Sequence, residues 1–162
     1  MTTFEASQGP HSGAIRARTG VALADAKAAV IMIHGRGDSA AGILGLAEAF
    51  PAPGTAFVAP QATGNVWYPY PFMSPLDVNQ PWLDSALAAV GTVVDTVVGS
   101  GVAHDKVVLL GFSQGACLAS EYAARHPRRF GGVVALSGGL IGPDVVEDRY
   151  VGDLAGTPAF FG

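Results

Sequence analysis

The chain is poor in cysteine and in charge, and both shortages exclude classes of protein. Its single cysteine, Cys117, excludes an internal disulfide bond. Charged residues make up only 14% of the sequence and hydrophobic residues 49%, which argues against disorder and for a sizeable core. The net charge of −4 argues against a nucleic-acid partner, and the densest basic group, at 125–129, is typical of a helix C-terminus.

Signals for export, membrane insertion and metal binding are also missing. No basic segment followed by an apolar stretch opens the chain, so no signal peptide is predicted. No apolar run approaches the ~18 residues of a membrane span. An H-E-x-x-H motif and a Cys/His ligand cluster are both absent from the sequence. We therefore expect a soluble, cytoplasmic protein with one domain over residues 1–162 and without a metal or an organic cofactor.

The most informative stretch lies at 107–115 and reads V-V-L-L-G-F-S-Q-G. An apolar run ends at Gly111, and a helical pattern begins just after Ser113 and stops before Pro127. G-x-S-x-G between a strand and a helix is typical of a nucleophile elbow. There a sharp turn exposes the serine hydroxyl, and the helix start directs N–H groups at developing negative charge. A plain glycine-rich turn is the alternative interpretation.

Apolar, β-branched runs alternate with helical patterns along the chain. The pattern predicts strands at 28–33, 55–59, 107–110, 131–136 and from 158, and helices at 40–50, 81–98 and 114–126. This order predicts an α/β fold, a mostly parallel sheet with helices on both faces. Residues 1–12 are polar and predict a loose start, and an edge strand or hairpin is expected within 13–23.

The polar turns of this sheet fall at the carboxyl ends of its strands, where such folds bind ligands. They are 34–38, the turn at Ser113, and 137–139. A long loop over 60–80 contains Trp67, Tyr68 and Met73, and loops of that length are usually functional. We expect these three side chains to bind substrate, with simple cover of the core as the alternative.

Four motifs together resemble the phospholipase/carboxylesterase family, the acyl-protein thioesterase-like branch of the serine α/β-hydrolases. They are H-G-R-G-D at 34–38, W-Y-P at 67–69, G-F-S-Q-G at 111–115 and L-S-G at 136–138. The resemblance covers the chain from about residue 13 onward. It implies an α/β-hydrolase fold, Ser113 as the nucleophile, and an oxyanion hole made by the backbone N–H groups of Arg36 and Gln114. Family members usually have an apolar residue in place of Arg36, whose side chain we expect either to favour acidic substrates or to point into solvent.

The family's acid and base have no counterpart among these residues. In the family, the Asp follows the strand that begins here at Pro158, and the His follows one strand later. The chain reaches only Gly162, so the resemblance implies a domain that is incomplete at its C-terminal end, without its last strand and helix. A further or separate C-terminal segment is expected to supply the Asp and His. Among local residues, His34 is the alternative base on the correct edge, and Cys117 is expected to be a small buried residue.

Two functions follow from these observations. The first is a carboxylesterase or thioesterase that hydrolyses small-molecule esters through an acyl-enzyme on Ser113. The second is a non-catalytic ligand-binding module on the same fold, because a fold does not fix a function. The 162-residue chain by itself is expected to be inactive and poorly soluble. The ester, the acyl-chain length and the formation of a homodimer stay open.

Overall fold

The central sheet contains the strands that the apolar runs predict. A computed structural model describes residues 9–162. Within them, a 6-stranded sheet has the strand order β1-β3-β2-β4-β5-β6. Its strands are β1 (Ile15–Gly20), β2 (Ala28–Ile33), β3 (Thr55–Pro60), β4 (Val107–Phe112), β5 (Gly132–Leu136) and β6 (Ala159–Phe161).

All strand pairings are parallel except one. β3, β2, β4, β5 and β6 pair in parallel, whereas β1 runs antiparallel to β3 at the edge of the sheet. β1 is the edge strand expected within 13–23, and the hairpin alternative is not formed because β1 pairs with β3 instead of a neighbouring segment. The parallel arrangement brings the carboxyl ends of β2, β4 and β5 to one edge, where the predicted site residues follow them.

Helices cover both faces of this sheet, as predicted. They are α1 (Ala40–Leu44), α2 (Trp82–Gly99) and α3 (Gln114–Arg125). Side chains alternate between the faces along each strand. Ile31 and Ile33 therefore join the larger core with α2 and α3, whereas Met32 joins a smaller core with Ile43 of α1. The helix predicted over 40–50 is α-helical only to Leu44 and continues as a 3₁₀ turn over Gly45–Ala49.

α2 is a core helix with one polar face. The predicted polar positions Asp84, Thr92 and Asp95 are exposed. The predicted apolar stripe is buried and consists of Leu83, Leu87, Val90, Val94 and Val97. In length and mean hydropathy (1.3), α2 is the one helix of the described residues that is able to cross a membrane. Because 56% of it is buried inside the protein, we interpret it as the core helix of a globular fold.

The stretch predicted to be loose is partly fixed. Residues 1–8 lie outside the described residues, but His11 is buried and hydrogen-bonded on both sides of its ring. Its Nε2 lies 2.8 Å from the Trp67 carbonyl oxygen, and its Nδ1 accepts from the Thr63 N–H at 3.1 Å. The ring also packs against Trp67 and Trp82. The expectation of looseness is therefore wrong at His11, because long-range partners bury this polar residue.

The sheet ends at β6 with exposed aromatic side chains. Phe160 and Phe161 are 57% and 61% exposed, and β6 pairs only with β5 among the described strands. An apolar edge strand of this kind is a template for pairing with another chain.

Candidate active site

Ser113 alone makes the turn between β4 and α3, because β4 ends at Phe112 and α3 begins at Gln114. Its φ of 53° and ψ of −114° lie where residues other than glycine are seldom found. Such a conformation costs about 1–3 kcal/mol and persists only where the surrounding structure enforces it. The Ser113 N–H donates to the Leu136 carbonyl at 2.8 Å, which fixes the turn to β5. The side chain is left exposed beyond the carboxyl end of β4.

Glycines around this turn allow strand, helix and loop to approach closely. A Cβ on Gly111 would lie 2.1 Å from the Gly115 oxygen, and one on Gly115 would lie 2.0 Å from the Ile33 oxygen. A Cβ on Gly138 would lie 2.7 Å from the Cβ of Ala116. The obstructing atoms belong to the backbone or to a Cβ, so none of them can swing away as a flexible side chain would. The absence of a side chain at these positions is therefore a packing requirement.

Unpaired backbone donors lie close to Ser113. The loop after β2 is adjacent, since a Cβ on Gly35 would lie 3.6 Å from the Ser113 Cβ. Gln114 is the first residue of α3, where helices leave N–H groups without intrahelical partners and carry partial positive charge. Within residues 9–162, the N–H groups of Arg36 and Gln114 have no protein acceptor. Neither N–H group is therefore used in a hydrogen bond within the described residues.

His34 shapes the loop after β2. It is fully buried, its Nδ1 donates to the Gly35 carbonyl at 2.7 Å, and its Nε2 accepts from the Ala62 N–H at 3.0 Å. Burial lowers the pKa of this imidazole below its ordinary value. Both ring nitrogens are occupied by structural bonds, so the alternative of His34 as the base for Ser113 does not agree with its contacts.

The side chain of Gln114 joins the elbow to the loop over 60–80, which we call the aromatic loop. Its Oε1 accepts from the Trp67 N–H and its Nε2 donates to the Tyr68 carbonyl, both at 2.8 Å and buried. The Arg36 guanidinium donates to the carbonyls of Tyr68 and Pro69 at 3.0 and 3.1 Å. The Arg36 side chain is exposed and lines the cleft while it is bound to this loop, so both roles expected from the sequence stay predictions.

A cleft of about 330 Å³ opens at Ser113. Its lining comes from the elbow, the aromatic loop and the turn after β5, namely Arg36, Tyr68, Pro69, Pro71, Phe72, Ser113, Gln114, Cys117 and Ser137. Of the three predicted substrate-binding residues, only Tyr68 is in this lining. Trp67 is 0% exposed and lies in the core, where its indole N–H donates to the His34 carbonyl at 2.9 Å. Met73 is 62% exposed and lies outside the cleft lining.

None of the chain's four histidines, all of which are described, hydrogen-bonds to Ser113. His104 contacts the Arg129 carbonyl at 3.0 Å and His126 the Tyr122 carbonyl at 3.2 Å, both away from the elbow. Over residues 9–162 there is also no group of three or more His, Cys, Asp or Glu side chains placed to hold a metal ion. The described residues thus contain an exposed serine and unpaired N–H donors, but no histidine that hydrogen-bonds to the serine.

Comparison with known proteins gives the family of this chain. The sequence profile of the phospholipase/carboxylesterase family matches residues 21–152, which is most of the chain. The chain belongs to this family. Acyl-protein thioesterase 1 of Saccharomyces cerevisiae is 29% identical over 164 residues, which cover 90% of this chain and 72% of the yeast protein. NocK of Nocardia uniformis subsp. tsuyamanensis, an esterase by name, is 32% identical over 126 residues.

Solved structures agree with the family assignment. A phospholipase/carboxylesterase from Dyadobacter fermentans superposes with a TM-score of 0.90 at 46% identity, over 96% of this chain and 74% of the other. Esterase PE8 superposes with a TM-score of 0.72 at 23% identity, which supports the α/β-hydrolase fold alone. This chain spans only 36% of the length of NocK. The activity that NocK has as a whole protein is therefore not carried over to this chain.

Cys117 is the small buried residue that the sequence predicts, 2% exposed, and it lies in the cleft lining one helical turn beyond Ser113. A second buried residue of the same helix was missed by the sequence analysis. Glu121 lies one further turn along α3, is 0% exposed, and accepts from the Tyr150 hydroxyl at 2.8 Å and the Ile141 N–H at 3.0 Å. A glutamate among the apolar residues of α3 was the available signal. Through these hydrogen bonds, Glu121 holds the segment after β5 against α3.

Proposed function

We propose that this family member hydrolyses small carboxylic esters or thioesters through an acyl-enzyme on Ser113. The proposal is supported above all by the strained, exposed position of Ser113 at the edge of the cleft. A serine hydroxyl attacks a carbonyl only if the developing oxyanion is stabilised. The unpaired N–H groups of Arg36 and Gln114 are the donors that we assign to this role, and removal of one such donor typically costs about 3 kcal/mol of transition-state stabilisation.

We assign the general base to a histidine that is not among the four of residues 1–162. This part of the proposal rests on the contacts of the four histidines. His11 and His34 are held by buried hydrogen bonds. His104 and His126 contact the carbonyls of Arg129 and Tyr122, away from the elbow. An acid and a base from a C-terminal or separate segment would complete the triad. Without them Ser113 would keep only the residual catalysis of its oxyanion donors, about 10³–10⁴ over water.

A fluorophosphonate probe tests the nucleophile assignment on the full-length protein. We expect labelling of the wild type at Ser113 and none in Ser113→Ala, with thermal unfolding nearly unchanged. Ser137 also lines the cleft and also has a positive φ, of 60°, which makes Ser137→Ala the discriminating second variant. Labelling that survives in Ser113→Ala but disappears in Ser137→Ala would refute the assignment.

The second candidate function is a non-catalytic module that binds esters or related small molecules. It is favoured by the one observation that no histidine in residues 9–162 hydrogen-bonds to Ser113. The two functions differ in hydrolysis of p-nitrophenyl butyrate by the full-length protein. Turnover that disappears in Ser113→Ala supports the esterase, whereas binding of the ester without turnover supports the module.

A further inference from the structure

Among the described residues that line the cleft at Ser113, only Arg36 carries a charge. Two other lining side chains are ionisable, those of Tyr68 and Cys117. Burial raises the pKa of the Tyr68 phenol well above its ordinary value, and burial also raises the pKa of the Cys117 thiol. Both groups therefore stay protonated and neutral, and the cleft has a single positive charge.

No carboxylate of the described residues neutralises this charge. One ion pair forms within residues 9–162, and it joins Arg125 to Glu121 on α3. The acid nearest to Arg36 in the sequence is Asp38, but its carboxylate lies against Gly42 of α1. The Arg36 guanidinium donates only to backbone carbonyls, which carry partial rather than full negative charge.

The guanidinium is fixed in place and still accessible. Its Nη2 donates to the carbonyls of Tyr68 and Tyr70 at 3.0 and 3.5 Å, and its Nη1 donates to the Pro69 carbonyl at 3.1 Å. A guanidinium has five N–H donors, so these bonds leave two of them for a ligand. The Arg36 side chain is exposed. Because the loop already orders this long side chain, a ligand that binds it has less conformational entropy to overcome.

The guanidinium also lies within reach of an ester bound at Ser113. It belongs to the residue whose backbone N–H we assign to the oxyanion hole, so the scissile carbonyl and the guanidinium are separated by no more than the length of one side chain. Its positive charge opposes the rise that burial causes in the pKa of the Tyr68 phenol, a second residue of the cleft lining. The charge therefore acts inside the cleft and not only at its outer edge.

We propose that the Arg36 guanidinium binds a carboxylate of the substrate, so that the cleft selects esters with one negative charge over their neutral counterparts. The inference rests on the proposed esterase function and names its substrate class. A single guanidinium without a second cation in the lining matches a carboxylate rather than a doubly charged phosphate. The net charge of the chain is −4, so the attraction is local to Arg36 and not a property of the whole surface.

A matched pair of esters tests the preference on the acyl side. Mono-p-nitrophenyl adipate ends in a carboxylate, and p-nitrophenyl 6-oxoheptanoate has a neutral methyl ketone in its place. With full-length protein, and after correction for spontaneous hydrolysis, we expect kcat/KM for the adipate to be higher by about fivefold, the upper range for an ion pair in contact with water. Arg36→Gln should bring the ratio to about one, because it removes the charge. Arg18→Gln removes an equal charge from an exposed position on β1, outside the cleft, and should keep the ratio.

A second pair of esters places the carboxylate on the alcohol side. 4-(Butanoyloxy)benzoate and its methyl ester share the acyl group and differ in the charge of the leaving alcohol. A preference for the charged member that Arg36→Gln abolishes in the first pair assigns the carboxylate to the acyl group, and the same result in the second pair assigns it to the alcohol. The absence of an Arg36-dependent preference in both pairs overturns the inference.

Binding provides a readout that does not depend on turnover. The corresponding amides are the mono-N-methylamide of adipic acid with N-methyl-6-oxoheptanamide, and 4-(butanoylamino)benzoate with its methyl ester. If no ester is hydrolysed but NMR titration shows tighter binding of a charged amide that is lost in Arg36→Gln, the proposed function fails and the inference on Arg36 stands. Equal affinity for the charged and neutral amides in both pairs, or a preference that survives in Arg36→Gln, overturns the inference.

Salt separates recognition of charge from support of the loop. Arg36→Gln also loses hydrogen bonds to the aromatic loop, and a disturbed loop would affect charged and neutral esters alike. Raising NaCl from about 0.05 to about 0.5 M shortens the range of electrostatic attraction, so the ratio of the wild type should fall by about twofold while that of Arg36→Gln stays constant. Arg36→Lys retains the charge and should retain part of the preference. A ratio that does not respond to salt, or equal ratios in Arg36→Lys and Arg36→Gln, would contradict an electrostatic role.

Discussion

The replacement Gln114→Ala tests how the elbow holds the wall of the cleft. Its side chain makes two buried hydrogen bonds, from the Trp67 N–H and to the Tyr68 carbonyl. Removal leaves the Trp67 N–H buried and unpaired, which costs about 1–3 kcal/mol. The Tyr68 carbonyl keeps its bond from Arg36, so its loss is smaller, about 0.5–1.5 kcal/mol. We expect the free energy of unfolding to fall by about 1.5–4.5 kcal/mol in total.

Urea denaturation, followed by the fluorescence of the two tryptophans, measures this difference. Gln80→Ala is the matched control, because its side-chain bonds to Asp84 are exposed, and we expect it to cost about 1 kcal/mol or less. The backbone N–H of residue 114 survives in the alanine variant. Fluorophosphonate labelling of Ser113 should therefore persist below the unfolding midpoint, while KM for esters rises. Equal costs for Gln114→Ala and Gln80→Ala would refute the reasoning.

Three further predictions follow from the burial of individual side chains. Trp67→Ala should lower the free energy of unfolding, measured by urea denaturation, by about 3–5 kcal/mol, and Met73→Ala should lower it by less than about 0.5 kcal/mol. An altered ester preference in Trp67→Ala without loss of stability would contradict the place of Trp67 in the core. Burial lowers the pKa values of His11 and His34 below 6.5, so their contribution to stability is present above that pH and is lost as the pH falls. The urea midpoint should drop between pH 7.5 and pH 5, and less steeply in His34→Gln; parallel curves for both proteins would show that His34 is not responsible. Phe161→Lys should reduce self-association of the 162-residue chain in sedimentation velocity, because it places a charge on the exposed edge strand, and an unchanged distribution would exclude β6 as the contact.

The sequence determined the architecture because its signals are local. Apolar β-branched runs and a helical period need only neighbouring residues to be recognised, and they predicted β2 to β5, α2 and α3. The elbow was equally readable, since Gly111 and Gly115 are required by contacts within one strand–turn–helix unit and with the adjacent β2. The alternation of elements then favoured one parallel sheet, whose carboxyl edge collects the polar turns.

Only the tertiary structure decided what the side chains of the loops do. Trp67 and Tyr68 are adjacent in an aromatic loop without periodicity, and both pack into the core, yet only Tyr68 is also in the cleft lining. Their roles depend on hydrogen bonds to Gln114 and Arg36, which are more than thirty residues away in the chain. His11 is likewise buried by partners far along the sequence. A polar residue in a loop is buried or exposed according to whether a distant partner satisfies its hydrogen bonds, and that pairing exists only after the chain has folded.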